Sequence, residues 1–193
     1  KDVKVIYEPG LTFTREFNEN GIAKAVKAAK KADVILAFMG EEAIMSGEAH
    51  CLTDITLKGD QRKMIEALHA TGKPVVLNIM AGRPLVLDFE IEHSDAILYS
   101  FHPGTMGGPA IAQLIFGDET PSGKTPITFP KNVGQIPLYY AAKNTGRPLL
   151  EGRWFEKFRS NYLDVDNDPL YPFGYGLSYT TFEYGPVSLS AAE

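Results

Sequence analysis

Three glutamates, Glu41, Glu42 and Glu48, stand in a polar stretch just after an apolar run, Val34-Ile35-Leu36-Ala37-Phe38, that breaks at Gly40. The run has the length and β-branched content of a buried strand. In open α/β sheets ligands collect beyond the carboxyl ends of the strands, so a glutamate-bearing loop there is the first place to look for chemistry. Acid/base work is the chemistry such a loop suggests. Glycoside hydrolysis, for example, uses two carboxylates, one of them held protonated to donate to the leaving oxygen. Glu48 follows Ser46-Gly47, a turn-forming pair that projects its side chain. Glu41 and Glu42 are neighbours at a strand end and therefore point in opposite directions. The plain alternative for each is a solvated surface carboxylate.

Other constellations carry less. Gly104-Thr105-Met106-Gly107-Gly108 lies between a strand-like and a helix-like segment, where a phosphate can sit, but it lacks the dinucleotide fingerprint and the Lys-Ser/Thr of a P-loop. Asp164-Val165-Asp166-Asn167-Asp168 opens like a calcium loop, yet Pro169 occupies the glycine position and Tyr175 replaces the closing glutamate, so it reads as a turn. His50 and Cys51 are adjacent in sequence and do not present both groups to one point. There is no Gly-x-Ser-x-Gly elbow, no His-x-x-x-His and no Cys-x-x-Cys.

The elements that must hold the acidic loop follow a βα rhythm. Residues 3–7 alternate as a short strand, and a polar and aromatic linker runs from Gly10 to Asn20. Ile22, Val26 and Ala29 fall at helical spacing within 21–32, and Met64, Ile65 and Leu68 do so within 60–70. Residues 74–79 and 96–101 are further strands, and Pro109 suits the first position of a helix carrying Ile111, Leu114 and Ile115. Strand, helix, strand, helix predicts a mostly parallel sheet flanked by helices. From Asp118 onward Pro, Gly, Asn and aromatic residues dominate, including Tyr139, Tyr140, Trp154, Phe155, Tyr171 and Phe173, with one strand expected at 125–129. We read 118–193 as a long irregular extension packed on the α/β body, since a disordered tail lacks that aromatic content.

A chain of 193 residues accommodates one domain with a proper core. The 44% hydrophobic and 22% charged balance is ordinary for a globular domain. The net charge of -5 argues against nucleic-acid binding, and Lys24, Lys27, Lys30 and Lys31 read as the wet side of a helix. One cysteine permits no internal disulfide, and no apolar run reaches the ~18 residues of a membrane span. The opening Lys1-Asp2, leading straight into Val3-Lys4-Val5-Ile6, reads as the middle of a longer polypeptide.

Several phrases together resemble the glycoside hydrolase family 3 enzymes, within them the bacterial periplasmic β-glucosidase type. They are ADVILAFMGE (32–41), GEAHCLTDITL (47–57), ATGKPVVLNIMAGRPL (70–85), the run from Asp95 that ends in AIAQLIFG, SGKTPITFPKNVGQIPLYYAAKNTGRP (122–148) and LYPFGYGLSYTTFEY (170–184). The resemblance covers nearly the whole chain. It implies an amino-terminal (β/α)8-type barrel followed by an α/β sandwich of flavodoxin-like type, of which this chain is most of the second, with its first βα unit missing. It also implies that the nucleophilic aspartate lies in the barrel, and that the acid/base glutamate comes from the Ser46-Gly47-Glu48 motif, which makes Glu48 catalytic. The family varies in this loop, so Glu41 and Glu42 remain alternatives, and Ser46, Gly47, Glu41 and Glu42 are expected to contact substrate. One departure stands out: Cys51-Leu52 replaces a small residue and an arginine, removing a cation near the sugar.

The expected whole is a retaining β-glycosidase acting on terminal β-D-glucosyl residues of β-glucosides or β-linked oligosaccharides, periplasmic or secreted, with no metal and no organic cofactor. In retaining enzymes the carboxyls lie ~5–5.5 Å apart, and like-charge repulsion at that range keeps one of them protonated. Half of such a site is absent here, so the isolated chain is expected to fold poorly or to be inactive. The competing reading is a non-catalytic sugar-binding or accessory domain whose acidic loop has drifted, which the Leu52 departure permits. A flavodoxin-like nucleotide binder would rest on the Gly104–Gly108 turn alone.

Overall fold

The computed structural model describes residues 3–149 and 156–191. Helix α1 spans Glu19–Ala29 and starts where the Asn18 side chain accepts a hydrogen bond from the Gly21 N–H. Strand β1, Ile35–Gly40, follows, then a single 3₁₀ turn at Ala43–Met45 and helix α2, Gln61–His69. Strand β2 is Val75–Met80, helix α3 Asp88–Glu92, strand β3 Ala96–Tyr99 and helix α4 Gly107–Phe116. The three strands form one parallel sheet in the order β1-β2-β3, with Ile35 opposite Val75 and Val76 opposite Ala96. The expected parallel α/β architecture is therefore present.

Apolar periodicity sets the packing. Ile35 and Ala37 of β1 and Val75, Leu77 and Ile79 of β2 point into one core, which is completed by Met64, Ile65 and Leu68 of α2 and by Leu85 and Leu87. Leu36 and Phe38 alternate to the other face of β1 and are exposed. Gly40 ends β1 at φ +150°, and a Cβ there would overlap the Met80 backbone, so the last rung of the β1–β2 pair admits only glycine. The chain emerges from this rung directly into the glutamate loop.

Several expectations are corrected. Residues 3–7 form no strand and lie exposed, because alternation makes a strand only beside a partner edge. Residues 125–129 also form no strand. Phe129 instead makes an isolated antiparallel bridge to Tyr171, and Thr125 N–H donates to the Tyr175 carbonyl. β3 stops before Phe101, whose φ of 49° takes it out of extended geometry. α1 is shifted to start earlier, and α4 begins at Gly107 rather than at Pro109. Helix α3 is too short for periodicity to reveal. Beyond α4 the described residues hold one 3₁₀ turn, Val133–Gln135, and are otherwise irregular, and Phe129, Leu170 and Tyr171 reach back to the core, with Phe129 edge-on to Tyr99 at 4.9 Å. Trp154 and Phe155 lie outside the described residues.

Candidate functional site

The loop between β1 and α2 separates the three glutamates sharply. Glu41, one residue past the strand, turns inward: its side chain is 1% exposed and its Oε2 accepts from Arg83 Nε at 3.0 Å. Its Oε1 is buried with no hydrogen-bond partner. Glu42 points the other way, as adjacent strand-end residues do, and meets the linker before α1. Its Oε1 accepts from Arg15 Nε at 2.6 Å and from Thr14 Oγ1 at 3.1 Å. The hydrogen bond from Arg15, reinforced by that from Thr14 and by the charge of the guanidinium, holds the Glu42 carboxyl below the ordinary glutamate range.

Glu48 differs from both. It is exposed and makes no hydrogen bond or ion pair among the described residues. It rides a tight turn in which the His50 N–H donates to the Gly47 carbonyl at 3.2 Å. Gly47 at φ 133° and Ala49 at φ 63° flank it, both on the positive side of φ. Among the described residues no group of His, Cys, Asp and Glu is arranged to hold a metal ion.

Neighbouring elements converge on this turn. The Arg83 guanidinium, just past the end of β2, donates to the Met45 carbonyl and, from Nη1 and Nη2, to the His50 carbonyl at 3.4 and 3.3 Å. The Tyr99 hydroxyl at the end of β3 donates to the Arg83 carbonyl, and burial raises its pKa above the ordinary tyrosine value. Ser46 Oγ lies 3.3 Å from His102 Nε2. This contact passes over Gly82, where any Cβ would clash with both Ser46 Oγ and His102 Nε2. The three strands thus each send their carboxyl-terminal residues to one place, as the parallel topology requires.

Arg83, Tyr99, His102 and Gly82 are absent from the sequence-derived site. Gly82 and Arg83 follow the apolar run at 74–79 and Tyr99 lies in the strand expected at 96–101, and nothing in that local pattern ties them or His102 to the acidic loop. Leu52, at the departing position, tucks against the hydrophobic core, while Cys51 is exposed. In the suspected calcium loop, Asp166 grips Lys131 Nζ with both carboxylate oxygens at 2.7 Å and accepts the Asp168 N–H, an ion-paired turn.

Comparison with known proteins bears on what this arrangement is. The family model described as the glycosyl hydrolase family 3 C-terminal domain matches residues 3–179. A periplasmic beta-glucosidase of Salmonella typhimurium is 51% identical over 186 residues, which are 96% of this chain and 24% of that protein. A beta-xylosidase of Formosa agariphila is 38% identical over 97% of this chain and 25% of its own length. The crystal structure of a beta-glucosidase from Listeria innocua in complex with gluconolactone superposes with a TM-score of 0.84 at 40% identity, covering 88% of this chain and 24% of that one. The chain therefore spans about a quarter of the length of these relatives. A parallel sheet with its strand ends gathered under a glutamate turn, and a match of this extent, place the chain in the glycosyl hydrolase family 3 C-terminal domain family.

Proposed function

We propose that this chain is the carboxy-terminal domain of a retaining β-glucosidase and supplies its acid/base through Glu48, while the nucleophilic aspartate belongs to a barrel domain outside this sequence. The observation that carries the reading is the contrast within one loop: Glu41 and Glu42 are committed to Arg83 and Arg15, and Glu48 is exposed with no partner among the described residues. A general acid must reach the glycosidic oxygen at hydrogen-bond distance, which only a projecting side chain can do. On this reading Ser46 and Gly47, which share the turn with Glu48, line the sugar, and Glu41 and Glu42, paired with Arg83 and Arg15, support the loop. The substrate class is β-glucosides or β-linked oligosaccharides and the compartment periplasmic or secreted, in keeping with the names of the relatives.

Mechanistically, Glu48 protonates the leaving oxygen as the barrel aspartate attacks the anomeric carbon, then takes a proton from the water that hydrolyses the glycosyl-enzyme. Closing the two carboxyls to ~5–5.5 Å requires the two domains to meet over the Glu48 turn. The test is Glu48→Ala in the full-length enzyme, assayed on aryl β-glucosides with good and poor leaving groups, with and without azide. The reading expects a loss of about 10²–10⁴-fold on the poor leaving group, a small loss on the good one, and a β-glycosyl azide product. Wild-type rates on both substrates would overturn it and favour a non-catalytic sugar-binding domain.

A further inference from the structure

Resting on the reading of Glu48 as acid/base, we propose that Arg83 is a positioning residue that fixes the Glu48 turn, with Glu41 as the buried anion that aims it. The turn does not determine its own shape. Its internal bonds are the His50 N–H to Gly47 carbonyl contact and the Ser46 N–H to Ala43 carbonyl contact, each at 3.2 Å. Ala49 sits at φ 63°, a conformation that residues with a Cβ disfavour and that persists only where the surroundings impose it.

Arg83 supplies the imposition. Its guanidinium reaches the Met45 carbonyl on one side of residues 46–49 and the His50 carbonyl on the other, so one rigid fork spans the feet of the turn. Both carbonyls are neutral acceptors and could not by themselves choose the direction of a long flexible side chain. Glu41 makes that choice: its carboxylate, 1% exposed, takes Arg83 Nε at 3.0 Å, and Arg83 is itself only 19% exposed. The Tyr99 hydroxyl holds the backbone of the same residue from β3. The ends of β1, β2 and β3 are thereby linked through one side chain to the turn that presents Glu48. Lysine retains the charge but not the fork, so it can satisfy the anion or the two carbonyls but not all of them.

Misplacing a catalytic group by about 1 Å costs on the order of 10²-fold in rate. The experiment uses the full-length enzyme with Arg83→Lys and Glu41→Gln, each also combined with Glu48→Ala, and hydrogen–deuterium exchange across residues 43–51. Expected are cooperative thermal transitions, lowered in Glu41→Gln because Arg83 loses its buried partner, about 10- to 100-fold losses in kcat/KM on poor leaving groups with near-native rates on good ones, and faster exchange in the turn. In the Glu48→Ala background the same changes should cost nothing further, which a merely structural defect would not reproduce. If Glu48→Ala shows the acid/base signature but Arg83→Lys and Glu41→Gln keep the native leaving-group dependence, the positioning role is overturned while the Glu48 assignment stands. If Glu48→Ala lacks the signature, the acid/base reading fails first. Exchange in the turn then still tests the clamp, and native protection in both Arg83→Lys and Glu41→Gln would overturn it.

Discussion

Glu90→Gln tests a buried carboxylate away from the Glu48 turn, the one that ties α2 to α3. Glu90 is fully buried, with a side-chain exposure of 0%, and receives Arg62 in a two-pronged contact, Nε to Oε1 at 2.9 Å and Nη2 to Oε2 at 3.1 Å. The guanidinium also lies over the Phe89 ring at 5.2 Å and touches the Val86 carbonyl and Asp88, each at 3.3 Å. Removing one partner of a buried pair typically costs 3–5 kcal/mol, because the other charge is left uncompensated. Arg62 remains 29% exposed and keeps Asp88, so the loss belongs at the lower end, about 3 kcal/mol. At 1.4 kcal/mol per decade, that is about a hundredfold in the opening equilibrium. The assay is native-state hydrogen exchange of the amides in 61–69 and 88–92, where protection should fall by about two decades. The double variant Arg62→Met/Glu90→Leu, which removes both charges, should recover to within about 1 kcal/mol of native. Native protection in Glu90→Gln, or a double variant as labile as the single one, would refute the account, since either outcome means that the charge is not what the interior is compensating.

Three further outcomes follow from the geometry. Gly82→Ala should drive Ser46 and His102 apart and lower kcat/KM of the full-length enzyme by about 10-fold or more, with loss of the Ser46–His102 contact visible in a crystal structure. Asp60, hydrogen-bonded and ion-paired to Lys63, and Asp166, likewise to Lys131, both titrate below the ordinary aspartate value. The unfolded chain therefore binds more protons between those depressed values and about 3.9, the stability they contribute is complete above that window, and it is lost as pH falls through it. Acid unfolding followed by circular dichroism should accordingly shift to higher pH in Asp166→Asn. With the nucleophile on another domain, as proposed, the isolated 193-residue chain should show no turnover of an aryl β-glucoside; measurable turnover that survives repurification would contradict that proposal.

Much of this domain is written in short-range pattern. The apolar runs at 34–38 and 74–79 needed no partner information to be strands, since both are short, unbroken and β-branched, although the structure buries Ile35 and Ala37 on one face of β1 and leaves Leu36 and Phe38 on the other exposed. The spacing of Met64, Ile65 and Leu68 names the face that α2 buries. The break at Gly40 and the position of Glu48 after Ser46-Gly47 were equally legible, because turns are local. Where pattern misled, at 3–7 and 125–129, it was alternation without a neighbour: a strand is a pairing, and pairing is decided elsewhere in the chain.

Only the tertiary structure decided which glutamates remain available. Glu42 is taken by Arg15 and Glu41 by Arg83, partners from opposite directions along the chain that nothing in the acidic stretch announces. Sequence alone determined that a parallel α/β domain carries three carboxylates at the end of its first strand. Folding sorted them into two anchors and one projecting side chain. Electrostatic and hydrogen-bond pairing act through space over a few ångströms, whereas periodicity and turn preferences act along the chain.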